Sequence, residues 1–297
     1  MTQTTANLKR KIGSAGDLHA VVRTMKAMAA ANIAQYEQAV QALDDYYRSV
    51  ELGLSVCFKQ DQAQASIAHA AAKPEAKLFD AVVFGSDQGL VGRFNDEVAD
   101  FAMKALAAKP GRHRIWAVGE RVHARLMDAG MPVIGLFGVP HSVRTITPLV
   151  GLILTEIDKR HKQGHIDDLH LFYNQPTAGA AYAPAGFRLL PLDENWRLKL
   201  TELRWPTRNL PEVMGNAPGT LRALIREYLF ISLFRACAES LASENASRLA
   251  AMQRADKNID ELLESLNGDF HRQRQSAIDE ELFDVVSGFE ALKTDAV

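Results

Sequence analysis

The chain has 297 residues, 47% of them hydrophobic, and a formal net charge of −2. This length and apolar content suit one large or two modest domains with a sizeable core. The near-neutral charge argues against a dedicated nucleic-acid-binding protein, which is normally strongly basic. We find neither a signal-peptide pattern after Met1 nor an apolar run long enough to span a bilayer. We therefore expect any membrane association to run through partner proteins.

The first part of the chain predicts one long helix over residues 1–58. Apolar residues recur at steps of three and four from Leu8 to Leu54, with no proline between them. A pattern of this length exceeds an ordinary globular helix and indicates a coiled coil. The cysteines, Cys57 and Cys237, form no metal-binding or redox motif, so we expect both to be buried free thiols.

The middle of the chain, residues 75–205, predicts an inserted α/β domain. Short apolar runs of strand length alternate with amphipathic segments of helix length, which is typical of a parallel sheet with crossover helices. An edge strand is expected after an Ala-, Gly- and Pro-rich loop at 175–186. The predicted strands are Leu78–Phe84, Arg114–Val118, Val133–Phe137, Leu169–Tyr173 and the edge strand Phe187–Leu192, and the predicted helices are Asn95–Ala108, Glu120–Ala129 and Pro148–Gln163.

The helical period returns over residues 219–293, again without proline after Pro218. Two helices this long must bury their apolar seams against each other or against a partner. The predicted fold is therefore a Rossmann-like parallel α/β domain inserted between N- and C-terminal helices, 1–58 and 219–293, that pair as a long antiparallel coiled coil.

The stretch GSDQGLVGRFN, residues 85–95, follows a predicted strand and precedes a predicted helix, as a phosphate-binding loop does. It lacks the lysine of a P-loop, and Asp87 stands where a dinucleotide fingerprint needs a glycine. A carboxylate there would repel a pyrophosphate. We therefore interpret the stretch as a tight strand-to-helix turn and expect no bound nucleotide.

No other segment predicts a catalytic centre. Histidines and aspartates crowd together in residues 161–170, but Gly164 interrupts the helical spacing that a metal site would need, so a helix-to-strand turn is favoured. No Ser/His/Asp or Cys/His set stands in a suitable context. We expect no catalytic residue, no cofactor and no metal.

Four segments, in order, resemble the gamma subunit of F-type ATP synthases, the central stalk. They are the alanine-rich segment Val21–Ala31, the loop Ser86–Asn95, the block Ser243–Asn258 and a C-terminal signature in which Ile278, Glu281, Asp284 and Gly288 match the family pattern. The signature departs from the family at Asp279 and Phe289.

The resemblance implies a non-catalytic rotating shaft that couples proton or sodium translocation to ATP synthesis or hydrolysis. The coiled coil would lie inside the hexamer of alpha and beta subunits, and the α/β domain would be a foot on the epsilon subunit and the membrane ring of c subunits. It would be peripheral on the cytoplasmic face of a bacterial or archaeal plasma membrane. It further implies contacts with the catalytic subunits at Met25, Lys26, Arg274 and Gln275, and a foot loop containing Ser86, Asp87, Gly89 and Gly92.

Departures from the family pattern favour a divergent branch. Residues 32–36 lack the basic run that commonly follows the alanines, and Val91 and Arg93 alter the foot loop. These changes resemble the alternate, N-type ATPases, in which sodium can be the coupling ion.

Two other functions stay open from the sequence. One is a coiled-coil scaffold or adaptor with an α/β head. The other is a nucleotide-dependent enzyme built on the α/β domain.

Overall fold

The computed structural model describes residues 4–61, 78–162, 168–178, 180–192, 194–209 and 211–294. The start of the predicted inserted domain, residues 75–77, and residues 163–167 of the predicted turn at 161–170 lie outside these ranges. The elements, in chain order, are α1 Thr5–Asp61, β1 Leu78–Phe84, α2 Phe94–Ala107, β2 Arg112–Val118, α3 Glu120–Asp128, β3 Val133–Phe137, α4 Val143–Lys162, β4 Asp168–Thr177, β5 Ala180–Leu190, α5 Glu194–Thr201 and α6 Ala217–Thr294.

The chain forms two compact units. We call Met1–Met28 with Leu249–Val297 unit 1, and Ala29–Arg248 unit 2. Among the described residues, none of the helices has the length and hydropathy needed to cross a bilayer.

Unit 1 is built from the start of α1 and the end of α6. Leu8, Ala15 and Val22 are buried at intervals of seven residues, as are Met252 and Ile259 on α6. A seven-residue apolar repeat keeps one seam of each helix against its partner, which is coiled-coil packing. The direction is antiparallel, because residues further along α1 meet residues earlier on α6: His19 contacts Asp260, and Lys26 contacts Asp256.

Unit 2 contains a five-stranded sheet in the order β3-β2-β1-β4-β5. The first four strands are parallel, and β5 returns antiparallel to β4. One face packs on α2 and α3 through β1 residues such as Ala81 and Val83. The other face packs on α4 and on the unit 2 parts of α1 and α6 through Val82 and Phe84. The alternation along β1 is what a strand buried on both faces requires.

The predicted fold class, a mixed α/β fold with long N- and C-terminal helices, is confirmed. Cys57 and Cys237 are buried thiols, as expected. The helix predicted from Pro148 begins earlier, at Val143, with the proline inside it. Its true start is marked by Ser142, whose N–H donates to Thr145 Oγ1 at 3.1 Å.

Two elements correct the sequence prediction. In the predicted loop 175–186, residues 175–177 belong to β4 and residues 180–186 belong to β5, which is 11 residues long. Pro184 is tolerated because β5 is the edge of the sheet. Gly186 permits the close approach of Phe172, whose Cδ1 would be 2.7 Å from a Cβ there. The short helix α5 was not predicted. It is held by Trp196, which packs edge-on against Phe58 and Tyr228.

Candidate functional site

The turn from β1 to α2 requires glycine for packing at its first position. A Cβ on Gly85 would lie 2.4 Å from Val122 Cβ and 2.7 Å from Asn95 Oδ1. Gly119, at the end of β2, has a φ of +114°, and its Cβ would lie 2.8 Å from the backbone of Ser86. The two loops therefore pack backbone against backbone at the carboxyl edge of the sheet.

Ser86 and Asn95 close the turn on itself. The Ser86 N–H donates to Asn95 Oδ1 at 2.9 Å, and Asn95 Nδ2 donates to Ser86 Oγ at 2.8 Å. The Ser86 hydroxyl donates in turn to the carbonyl of Gln88 at 2.9 Å. These bonds satisfy the buried serine and leave none of its side-chain groups to contact a ligand.

The Asp87 side chain links its own turn to the start of α3 and to the loop after β3 by hydrogen bonds. Its Oδ1 accepts the N–H of Glu120 at 2.9 Å, and its Oδ2 accepts the N–H of Val139 at 2.9 Å. Glu120 is the first residue of α3, where helix N–H groups are unpaired and the helix dipole attracts an anion. A nucleotide-binding fold places phosphate at such a helix start. Here the chain supplies its own carboxylate instead.

The crevice at the β1/β4 switch point is also filled. Open α/β sheets bind ligands where the strand order reverses, beyond the carboxyl ends of the strands. At this position Asn174, just beyond the residues of β4 that pair with β1, is fully buried and donates through Nδ2 to the carbonyl of Phe94 at 2.9 Å. From α6, the Ser247 hydroxyl donates to the carbonyl of Val91 at 2.5 Å. The predicted packing turn is confirmed, and side chains of the protein lie at the switch point.

Gly89 and Gly92, further along this turn, lie near α3 and α6. A Cβ on Gly89 would lie 3.7 Å from the Arg121 guanidinium, which is ordinary contact. Gly92 has a φ of +57° and lies beside Ser247, so this glycine gives the turn a left-handed backbone. Leu90 also has a positive φ, 64°, and is exposed.

A buried ion pair on α6 lies near the turn. Arg248 donates to Glu244 Oε1 at 2.7 Å. Burial raises the pKa of Glu244; Arg248 opposes the rise, and the negative charge of Asp87 adds to it. Burial, followed by the charge of Glu244, raises the pKa of Tyr36 on α1 to about 12. The sequence analysis places Glu244 and Ser247 in the block Ser243–Asn258 but gives neither residue a role. The available signal was their position as polar residues on an otherwise apolar helix seam.

In unit 1, Met25 and Lys26 have different environments. Met25 packs beside the buried cluster of Val22, Met252 and Ile259. Lys26 donates to Asp256 Oδ2 at 2.8 Å, and Asp256 Oδ1 lies 2.9 Å from His19 Nε2. These contacts, led by the hydrogen bond from Lys26, lower the pKa of Asp256. Lys26 is thus paired within unit 1 while part of its side chain stays exposed.

The C-terminal candidates lie around a shallow groove of about 370 Å³ in unit 1. The structure brings Arg274, Ile278 and Glu281 to this groove, opposite the first turns of α1 at Thr5 and Lys9. Gln275 and Asp284 are exposed on α6. Gly288 lies in α6, so the helix runs through the signature without a break.

Large apolar side chains are exposed beyond this groove. Leu282, Phe283 and Val285 are 63%, 76% and 72% exposed, and Ile278 is 49% exposed. Neighbouring exposed apolar residues on one helix end are typical of a surface that binds another protein.

Comparison with known families identifies this architecture. A model described as ATP synthase matches residues 4–292. An ATP synthase gamma chain of Anaeromyxobacter sp. (strain Fw109-5) is 26% identical, covering 97% of this chain and 98% of the relative. Another, from Desulfitobacterium hafniense, is 24% identical, with 97% and 98% coverage.

Solved structures share the fold. The rotor of the Euglena gracilis mitochondrial ATP synthase matches with a TM-score of 0.61 at 16% identity, covering 92% of this chain and 98% of that one. The central stalk of the Tetrahymena thermophila mitochondrial ATP synthase matches with a TM-score of 0.56 at 20% identity, with 79% and 99% coverage. With the family match over nearly the whole length, these findings establish that the chain belongs to the family of ATP synthase gamma chains.

Proposed function

We propose that this chain is the rotating central shaft of an F-type ATP synthase. It couples proton or sodium translocation through a membrane ring of c subunits to ATP synthesis or hydrolysis in a hexamer of alpha and beta subunits. Nucleotide chemistry belongs to that hexamer, and the chain itself contributes no catalytic group. The complex would lie on the cytoplasmic face of a bacterial or archaeal plasma membrane, with this chain peripheral to the bilayer.

The observation that carries the proposal is the exposed apolar end of α6. The exposed apolar residues are Ile278, Leu282, Phe283 and Val285. Burying one such side chain in an interface would stabilise the complex by roughly 1.5–3 kcal/mol. A surrounding hexamer would bury them without requiring a specific pairing. Apolar contact also suits a shaft, because it lets the surfaces slide past each other.

Polar contacts with the catalytic subunits are assigned to Arg274, Gln275 and Lys26, with Met25 as an adaptable apolar contact. Arg274 and Gln275 are exposed, and Arg274 has the planar guanidinium that pairs well with carboxylates and loop carbonyls. Lys26 would contact a partner with its exposed part while Asp256 holds its ammonium. In unit 2, the loop that contains Ser86, Asp87, Gly89 and Gly92 would lie near the start of the foot domain. This domain would contact the epsilon subunit and the c ring.

Two properties of unit 2 support a mechanical role over an enzymatic one. The switch-point crevice is filled by Asn174 and Ser247, and Asp87 lies at the start of α3 where a phosphate would bind. Micromolar binding of ATP or a dinucleotide to the isolated chain, lost when Gly89 is replaced by a bulky residue, would favour a nucleotide-dependent enzyme instead.

Copurification tests the proposal. Expressed with its alpha and beta partners, the chain should be recovered as one copy with three of each subunit. Arg274→Ala should lower coupled ATP hydrolysis in that complex, whereas Arg272→Ala, an exposed arginine half a turn away, should not. Recovery of the chain only as a stable homodimer would instead support a scaffold or adaptor.

A further inference from the structure

A cluster of charged residues lies at the amino-terminal edge of the sheet in unit 2, where the parallel strands begin, opposite the turn around Asp87. His170, on β4, is 8% exposed. Its Nε2 atom lies 2.9 Å from Lys109 Nζ and 3.1 Å from Asp168 Oδ1. Lys109 lies just after α2, and Asp168 is the first residue of β4. One ring nitrogen therefore faces both an ammonium group and a carboxylate.

These two partners require opposite protonation states of His170. An ammonium group only donates hydrogen bonds, so Nε2 binds Lys109 only when it carries a lone pair, as in a neutral imidazole with its proton on Nδ1. An ionised carboxylate only accepts, so Nε2 donates to Asp168 only when it carries a proton. Protonation of Nε2 therefore breaks the hydrogen bond to Lys109 and permits one to Asp168.

The groups around His170 set the pH at which this exchange of partners occurs. Burial lowers the pKa of His170, the charge of Lys109 lowers it further, and Asp168 opposes both effects. Arg188, opposite His170 on β5, adds a smaller lowering of the pKa. On β1, the residue paired with His170 is the apolar Ala81. Because the net effect is a lowered pKa, His170 is neutral at neutral pH and its Nε2 accepts from Lys109.

The Lys109 side chain can move without its main chain. The main chain is held by two further hydrogen bonds: the Lys109 N–H donates to the Leu106 carbonyl at 2.9 Å, and the Lys109 carbonyl accepts from His113 Nε2 at 3.0 Å. The ammonium group lies 5.3 Å from the centre of the Phe79 ring, which is buried. Loss of the bond to His170 therefore changes the position of one positive charge and the exposure of one aromatic ring.

We propose that His170 is a proton-operated switch for the Lys109 side chain. While His170 is neutral, the ammonium group is held against the edge of the sheet. When Nε2 takes up a proton from solvent, it donates to Asp168, and Lys109 turns outward and uncovers the Phe79 ring. Histidine suits this role because its protonation changes near neutral pH. The switch belongs to unit 2 alone and does not depend on the proposed function.

Nuclear magnetic resonance of the full chain tests the exchange of partners directly, with ¹³C labels in the histidine rings and at lysine Cε. A pH titration should show His170 taking up its proton below the usual pH of about 6.5. The Cε protons of Lys109, shifted by the Phe79 ring while the ammonium is bound, should move to free-lysine values at the same midpoint. Lys109 signals that stay unchanged through the midpoint of His170 would overturn the proposal.

Two variants should shift the pKa of His170 in opposite directions. Lys109→Met removes a positive charge and should raise this pKa by about one unit, whereas Asp168→Asn removes a negative charge and should lower it. Lys104→Met is the matched control, because it removes an exposed lysine of α2 and should leave the pKa unchanged. The same His170 pKa in Lys109→Met and Lys104→Met would show that the ammonium does not hold the imidazole, and the proposal would fail.

Discussion

Asp87 is the residue on which the carboxyl edge of the sheet is organised. Its two oxygens accept the N–H of Glu120, the first residue of α3, and the N–H of Val139, in the loop after β3. A carboxylate at a helix start both satisfies unpaired donors and interacts favourably with the helix dipole. The same residue that argues against a phosphate loop in the sequence therefore has a positive structural role.

Replacing this carboxylate should destabilise unit 2. Asp87→Ala leaves two backbone N–H groups without acceptors, and we expect the free energy of unfolding to fall by about 1–3 kcal/mol. Urea unfolding followed by tryptophan fluorescence measures this, since Trp116 is buried in the same sheet. Asp96→Asn, which only weakens a surface contact with Arg125, is the control. Equal stability of the two variants would contradict the assigned role.

Glu244 should make stability depend on pH. Its folded-state pKa is raised above the usual 4.5, mainly by burial. A raised carboxyl pKa means that the stability it contributes is fully present below about pH 4.5 and is lost as pH rises through the folded-state pKa. Glutamine mimics the protonated form and can still accept from Arg248.

The free energy of unfolding of Glu244→Gln should therefore increase relative to wild type as pH rises from about 4.5 toward neutral. The gain should be about 1.4 kcal/mol for each unit by which the folded-state pKa exceeds the unfolded one. Urea titrations of both proteins across this range give the difference directly, and other titrating groups cancel between them. If the difference in free energy of unfolding between Glu244→Gln and wild type does not vary with pH, the pKa of Glu244 is not raised by burial.

At the scale of elements, the turn from β1 to α2 is defined by close packing. Gly85→Ala would place a Cβ 2.4 Å from Val122 Cβ, so β1 or α3 must shift. Overpacking of this kind costs about 1–3 kcal/mol. Gly89→Ala, four residues away, meets its first side-chain atom at 3.7 Å and should change stability by about 0.5 kcal/mol or less. Thermal unfolding of the two alanine variants checks the contrast, and similar midpoints would show that the turn is not tightly packed.

Strands and helices with strong periodicity were predictable, and long-range contacts were not. The run at β1 matches its predicted bounds because a buried parallel strand is a continuous apolar segment. The run at β3 also matches its predicted bounds, although β3 is an edge strand whose residues are half-buried or exposed. The start of β5 was missed because alanine, glycine and Pro184 resemble a loop when pairing with β4 is unknown. Proline's preference for helix starts likewise placed α4 too late, at Pro148.

The candidate site shows the same limit. Asp87 was identified from its place in the glycine-rich stretch, but its partners lie 33 and 52 residues further along the chain. Ser247 contacts Val91 across 156 residues. No local pattern reports such separations, so the filling of the switch-point crevice could only be seen in three dimensions.

The end of α6 should act as an extended surface and not through one residue. Truncation after Arg274 removes Ile278, Leu282 and Phe283 together with the rest of the C-terminal signature. We expect it to weaken assembly or coupling more than Arg274→Ala does, because apolar contacts sum over area. Coupling is measured as ATP-driven ion transport per ATP hydrolysed. Equal effects of the two changes would contradict a distributed contact.

At the scale of the whole molecule, the two units are stabilised by different kinds of contact. Unit 1 is a helix pair with a seven-residue apolar seam and a charged network around Asp256. Unit 2 is a sheet with helices on both faces and its ligand crevice filled. Unit 1 also exposes apolar side chains at the end of α6, where the proposed shaft would contact other subunits.

The most direct test of the central claim is rotation itself. Cys57 and Cys237 are buried, so a cysteine introduced at the exposed position of Arg112 allows a probe to be attached to this chain alone. In an immobilised complex with alpha and beta subunits, single-molecule imaging during ATP hydrolysis should show the probe turning stepwise in one direction. A probe that stays fixed, or moves at random while ATP is hydrolysed, would contradict the assignment of this chain as the shaft.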